Sequence, residues 1–145
     1  MKIKIVWVGK TKEHCLAEGI ERYLKFLAPM AQVSVVEVRE ERGRRKEAAL
    51  AGEEAKILRQ TADYYLLDER GREFSSVGFA QFLQGRDAVD FVLGGPFGVS
   101  AAIREKAAGM IALSKMTLTH EMARLLLLEQ LFRAHTILRG KEYHH

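Results

Sequence analysis

The residue types best suited to chemistry gather in the last third of the chain. A glycine-rich turn, Gly94-Gly95-Pro96-Phe97-Gly98, follows the apolar run Val89-Asp90-Phe91-Val92-Leu93. A second loop-like stretch, Leu113-Ser114-Lys115-Met116-Thr117-Leu118-Thr119-His120, opens a very apolar segment that runs to Leu138, and Tyr143-His144-His145 closes the chain. Glycines permit positive φ and let a ligand approach the backbone closely, although a tight strand-to-helix turn would select the same residues. The spacing is not the G-x-G-x-x-G of dinucleotide folds, and no phosphate-loop lysine is present. Two backbone-rich loops beside an apolar helix, with a His-containing tail, describe a small-molecule pocket with a polar lip. A ligand held there would be read by backbone groups and shape.

Other chemistries find less support. A single cysteine, Cys15, and scattered histidines give no metal-ligand spacing and no internal disulfide, which fits a reducing cytoplasm. The G-x-S-x-G signature of a serine hydrolase is missing. Asp68 ends an apolar run and is either a ligand contact or a turn cap. Arg133 lies four residues after Glu129, so it is either an ion-pair partner or a free cation for a site. Arg39, Arg42, Arg44, Arg45 and Lys46 crowd into eight residues around Gly43. Glu37, Glu40, Glu41 and Glu47 offset them in part, so the run by itself reads as a solvated loop before it reads as a phosphate grip.

These groups need elements to position them. Ile3 to Gly9 is strand-like, and Lys12 to Leu27 repeats apolar residues at helical spacing until Pro29. Val33–Val38 predicts a strand, alanine-rich Glu47–Thr61 a helix, and Tyr64–Asp68 a strand closed by a turn at Arg70-Gly71-Arg72. Ser75 or Ser76 can cap a helix ending at Gly85, and Ser100 can cap another through Ala107. Val89–Leu93 and Met110–Leu113 are strands, and His120–Leu138 is the last helix, with Gly140 in the C-cap region. Strand and helix alternate five times, which predicts a one-domain α/β fold with a mainly parallel sheet covered on both faces. Ligands then bind beyond the carboxyl ends of strands, here at Leu67-Asp68, Leu93-Gly94-Gly95 and Leu113-Ser114. The consecutive leucines 125–128 face all sides of the last helix, which predicts burial against a second copy of the chain.

The bulk properties set outer limits. At 145 residues, with 48% hydrophobic and 29% charged residues, the chain suits one globular domain. A net charge of +4 permits a polyanionic partner. No apolar run approaches the ~20 residues of a membrane span, and the N-terminus has no signal-peptide pattern. Two readings stand on these residues alone: a non-catalytic basic α/β RNA- or ribosome-binding module, and a flavodoxin-like nucleotide-binding enzyme acting on a small molecule.

The segments Gly94–Gly98, Leu113–His120, Ala123-Arg124, Glu129-Gln130-Leu131-Phe132-Arg133-Ala134 and Tyr143-His144 together resemble the bacterial SPOUT-class methyltransferases of large-subunit rRNA pseudouridine. The likeness spans the chain, because Val8-Gly9-Lys10 and the basic loop also match. It implies an α/β fold with a deep C-terminal trefoil knot, an obligate homodimer, and S-adenosyl-L-methionine as methyl donor. By motif position the cofactor contacts would be Leu67, Asp68, Gly94, Gly95, Leu113, Ser114, Lys115, Met116, Thr117, Leu118 and Thr119. The acceptor would be N3 of a pseudouridine in helix 69 of 23S rRNA within an assembled ribosome. His144, Tyr143 and Arg133 would serve the catalytic step. Arg39, Arg42, Arg44, Arg45, Lys46 and His120 would hold rRNA, because such enzymes carry no separate RNA-binding domain. The family's tail carries a basic residue or two after Tyr-His; here His145 follows, and it would fill that role when protonated.

Overall fold

A computed structural model describes residues 1–145. Five strands and five helices alternate: β1 (Lys2–Val8), α1 (His14–Leu27), β2 (Gln32–Val38), α2 (Lys46–Gln60), β3 (Tyr65–Glu73), α3 (Ser76–Leu83), β4 (Ala88–Leu93), α4 (Ala101–Lys106), β5 (Gly109–Ala112) and α5 (His120–Leu138). The strands form one sheet in the order β2-β1-β4-β3-β5, and every pairing is parallel.

Side chains alternate across each strand, so the sheet feeds two cores. Ile3, Ile5 and Trp7 of β1 and Phe91 and Leu93 of β4 join α1, α3 and α5 on one face. Val6, Val8, Val92 and Leu66 join Ile57 of α2 and Ile103 of α4 on the other. Helices on both faces bury the central strands beyond their first residues, which is why β4 is apolar from Phe91 to Leu93, with Asp90 near its partly exposed start.

The elements fall where the sequence patterns put them, with two instructive differences. The first helix begins at His14, not Lys12, because the Glu13 N–H donates to the Glu121 carboxylate of α5 at 2.9 Å and the backbone there is extended. The third strand does not end at Asp68. Ile111 of β5 pairs with both Leu67 and Arg72, so residues 68–71 are thrown out of register before pairing resumes at Arg72. The expected turn at Arg70-Gly71-Arg72 is this excursion inside the strand. Gly71 permits it, since a Cβ there would lie 2.5 Å from the backbone carbon of Met110.

The four leucines divide between two environments. Leu127 and Leu128 are wholly buried within the chain, and Leu125 packs on Gly19 of α1. Leu126 is half-buried, and Met122 and Leu138 stay exposed. The chain thus covers much of α5 itself. What is left for a second copy is the side of the helix that carries Met122 and Leu126. No helix is long and apolar enough to cross a membrane.

Candidate functional site

The chain leaves β3, β4 and β5 at the same edge of the sheet, and their loops enclose a cleft of about 710 Å³. The β3 excursion contributes Leu67 to Arg70, the glycine turn contributes Leu93 to Pro96 and Gly98, and the β5–α5 loop contributes Leu113, Ser114 and Met116 to Thr119. Ile111, Ala123, Arg104 and His120 complete the wall. Ten of the eleven residues expected at a cofactor therefore line one cavity. The exception is Lys115, which is exposed and turns to Glu73 at 3.5 Å. A smaller hollow of about 390 Å³ lies at the opposite, N-terminal edge of the sheet, among Lys4, Asp63, Arg86 and Asp90.

Each wall has a local cause. The Gly98 N–H donates to the Gly95 carbonyl at 3.0 Å, and Gly98 adopts φ +78°. Pro96 and Phe97 thus form the tip of a tight turn. The missing side chains at Gly94 and Gly95 answer to this turn and to the core. A Cβ on Gly94 would lie 2.7 Å from the Gly98 carbonyl oxygen, and one on Gly95 would face Val8 at 3.3 Å. The turn reading and the ligand reading are compatible, since a sharply folded backbone at a strand end also presents its polar groups to the cleft.

The β5–α5 loop is tied at three points. The Met116 N–H donates to Ser114 Oγ at 3.0 Å, the Thr117 hydroxyl donates to Glu69, and Thr119 caps α5 by accepting from the Met122 N–H. Asp68 accepts from the Arg70 N–H and side chain at 2.9–3.1 Å and from Arg104 at 3.3 Å. The Arg70 guanidinium foremost, with Arg104 adding to it, holds the Asp68 carboxyl down at about 2 against the burial that opposes ionisation. Asp68 therefore clamps the cleft wall as a permanent anion.

His120 is the one imidazole at the cleft. Burial, and then the nearby Arg124 charge, push its pKa below the ordinary histidine value, so it is neutral at pH 7. Arg124 is fully buried. It donates to the Val8 carbonyl at 2.6 Å and the Thr11 hydroxyl at 2.9 Å, and it lies 4.9 Å over the Trp7 ring. It ties the start of α5 to the end of β1 and so fixes one side of the cleft. Sequence reasoning gave this residue no role, although a signal existed. Glu121, Arg124, Leu128, Leu131 and His135 form one stripe at helical spacing, and a charge on a buried stripe needs a buried partner. Arg70 and Arg104, which hold Asp68, carry no comparable signal.

The expected catalytic group assembles elsewhere. Arg133 makes its ion pair with Glu129 at 2.5 Å, and it also meets His144 Nδ1 at 3.1 Å and lies 4.8 Å over the Tyr143 ring. Both readings of Arg133 thus hold together. A guanidinium only donates, so His144 Nδ1 must offer its lone pair. Tyr143 donates to Glu129 and shares a hydrogen bond with Tyr23 at 3.2 Å, while Phe132 packs edge-on to its ring. Burial first, and then Tyr23 and Glu129, raise the Tyr143 pKa, so its phenol keeps its proton at neutral pH. This cluster surrounds the last turns of α5, about 20 Å along the helix from His120. No residue of the tail lines the cleft of its own chain.

The basic loop rises at the cleft's other side. Its base is anchored by Lys56, which donates to the Arg39 carbonyl and pairs with Glu41 at 2.9 Å, and by Glu53, which accepts from the Glu41 N–H. Glu41 thereby serves Lys56, and Glu40 reaches only Arg42, at 3.8 Å. Arg39, Arg44, Arg45 and Lys46 are exposed and make no ion pair. The neutralisation expected for this run is therefore partial.

A parallel α/β sheet with a nucleoside-sized cleft at its carboxyl edge defines a ligand-binding α/β protein. The chain belongs to the SPOUT methyltransferase family: residues 1–144 match its model, described as predicted SPOUT methyltransferase. It is 41% identical over 146 residues to ribosomal RNA large subunit methyltransferase H of Thermodesulfovibrio yellowstonii, covering 99% of both chains. It is 40% identical over 153 residues to the protein of the same name from Geotalea daltonii, covering all of both. Among solved structures it resembles a probable methylase family protein from Haemophilus influenzae Rd KW20, with a TM-score of 0.58 and 16% identity over 99% of this chain and 70% of that one. A putative RNA methyltransferase from Bacillus anthracis superposes over the full length of both, with a TM-score of 0.52 and 13% identity. These two likenesses concern the fold.

Proposed function

We propose that this protein is an S-adenosylmethionine-dependent methyltransferase of large-subunit ribosomal RNA. It acts in the cytoplasm on N3 of a pseudouridine in helix 69 of assembled ribosomes. The observation that carries the reading is the coincidence of two things. The chain matches named large-subunit rRNA methyltransferases at about 40% identity from end to end, and ten of its eleven motif-assigned cofactor residues line a single cleft.

The cleft suits the cofactor. Its volume lies within the roughly 300–1,000 Å³ of small-molecule sites. Leu67, Leu93, Ile111, Leu113 and Leu118 offer apolar walls for an adenine, and the backbone at Gly94-Gly95 and Ser114–Thr119 offers polar groups around it. When bound, S-adenosylmethionine supplies an already activated methyl group on its sulfonium. The protein's part is alignment and care of the acceptor's proton. The imide N3–H is a poor nucleophile until its proton leaves, so a nearby cation or lone pair speeds the step. His120, neutral and within the cleft, contacts the acceptor. Arg133 supplies positive charge to the developing imide anion, and Tyr143, kept protonated and donating to Glu129, holds the Arg133–Glu129 pair in place beside the acceptor.

Arg133, Tyr143 and His144 can serve a cleft only if they belong to the other subunit, because their own cleft is about 20 Å away. The functional unit in this reading is a homodimer with the two α5 helices antiparallel, each tail completing its partner's site. Met122, 37% exposed, and half-buried Leu126, four residues on, lie on the side left for that contact. The deep C-terminal trefoil knot belongs to the same reading: β5 lies beyond β3, so the chain leaving β4 must cross β3 beside the cleft.

The test is methyl transfer from labelled S-adenosylmethionine to intact ribosomes lacking the modification, with the product nucleoside identified by mass spectrometry. Label at N3 of a helix-69 pseudouridine is expected. A folded protein that binds the cofactor yet labels no rRNA would contradict the reading. A folded dimer with no affinity for the cofactor would favour the basic binding module.

A further inference from the structure

Phe97 is 66% exposed, at the tip of the turn whose neighbours Pro96 and Gly98 line the cleft. It packs in neither core. Its one aromatic or cationic neighbour is Lys46, whose Nζ lies 6.0 Å from the ring centroid. An exposed phenyl ring gains nothing for the fold. The tight turn between Gly95 and Gly98 holds it out at the lip.

Its surroundings are cationic. Lys46 opens α2, and Arg44 and Arg45 precede it, all exposed and without a carboxylate partner. Cations at a helix N-terminus oppose the helix dipole, so these side chains weaken α2 slightly. Such a local cost is expected where residues serve a ligand. The base of the loop is anchored through Lys56 and Glu53. A flat apolar face with a lysine beside it, and two free arginines next to that lysine in the chain, fits an unpaired nucleobase and its phosphates. Bases stack on aromatic side chains in single-stranded RNA, and the cations take the backbone.

Resting on the rRNA methyltransferase reading, we propose that Phe97, flanked by Lys46, is a stacking platform for an unstacked base of the rRNA substrate at the mouth of the cleft. Phe97 is a substrate-positioning residue. It holds the loop nucleotides so that the acceptor base reaches the cleft, and it takes no part in the bond changes.

The experiment compares Phe97→Ala, Phe97→Tyr and Phe97→Trp on intact ribosomes. Phe97→Ala is expected to raise KM for ribosomes by roughly ten-fold or more, with kcat changed less. Phe97→Tyr and Phe97→Trp are expected to restore KM to within about two-fold, since a stacking face is all that is required. S-adenosylmethionine affinity by calorimetry is expected to stay the same for all three. Equal KM for Phe97→Ala and the unaltered protein would overturn the proposal while leaving the methyltransferase reading intact. No methyl transfer by the unaltered protein would remove that reading itself. Two further outcomes would overturn the platform by giving Phe97 another occupant. One is a change in the indole emission of the Phe97→Trp variant on adding S-adenosylmethionine alone, with buried Trp7 as constant background. The other is a shift of Phe97→Ala from dimer to monomer in sedimentation.

Discussion

Arg124 brings a cation into the core, where its partners are a carbonyl, a hydroxyl and the face of an indole. Removing one partner from such an arrangement costs more than the arrangement is worth, because the other groups stay buried and unpaired. Arg124→Ala is expected to destabilise the protein by about 3 kcal/mol, read as a lower urea midpoint. Arg124→Lys is expected to recover only part of the loss, since an ammonium cannot span Val8 and Thr11 together. An unchanged midpoint for both would sink this account. Asp68 makes a pH prediction. Its folded pKa, about 2, lies below the ordinary 3.8. A carboxyl lowered on folding adds stability that is present above its unfolded pKa and lost as pH falls toward 2. The contribution is at most about 2 kcal/mol, and less because Arg70 is exposed and screened. Stability measured from pH 6 to pH 2 should fall less steeply for Asp68→Asn than for the unaltered protein. Parallel curves would refute the clamp.

At the scale of elements, the cleft depends on two places where backbone approaches backbone. A Cβ on Gly71 would meet the Met110 backbone at 2.5 Å, and one on Gly94 would meet Gly98 at 2.7 Å. Backbone cannot step aside as a flexible side chain does, so Gly71→Ala and Gly94→Ala are each expected to cost about 2 kcal/mol or more. Both should also weaken S-adenosylmethionine binding several-fold. Gly95→Ala meets only Val8, at 3.3 Å, and is expected to be milder in both measurements. Calorimetry and thermal unfolding on the three variants check the order; Gly95→Ala as the worst of them would contradict it. Helix α5 gives a second case. Leu127 is wholly buried among residues of its own chain, so Leu127→Glu buries an unpaired carboxylate and should unfold the monomer. A soluble, folded monomer of Leu127→Glu would show instead that the leucine served the subunit contact.

For the whole molecule, the distance along α5 between the cleft and the tail cluster is the decisive quantity. If each tail serves its partner's cleft, His144→Ala and Gly94→Trp, each inactive alone, should complement when mixed and allowed to exchange subunits. Half of the resulting symmetric dimers are mixed and hold one complete site of two, so about a quarter of full activity should return. No recovery, with exchange confirmed by mass, would place the tail and the cleft of one chain in the same site. Leu126→Glu, on the uncovered side of α5, should separate the subunits and lower methyl transfer, with each chain still folded; an active monomer would exclude the shared site.

Alternation of apolar runs and helical stripes determined the α/β class, the element order and the three strand ends that build the cleft. These follow from local periodicity, which any solvent-covered chain must obey, and from short motifs whose loops are contiguous in sequence. Even the two-sided burial of β4 was visible in Val89 to Leu93. The strand order β2-β1-β4-β3-β5, the excursion that carries Asp68 into the cleft wall, the arginines that clamp it and the buried Arg124 under His120 were decided only in three dimensions. So was the separation of Arg133, Tyr143 and His144 from the cleft. Sequence places these three near one another and near the chain end, but whether they reach a ligand depends on the direction of one helix, and α5 runs away from the cleft it begins. Pairings across the sheet and contacts between ends of different elements leave no period in the chain, because each is set by packing among residues far apart in sequence.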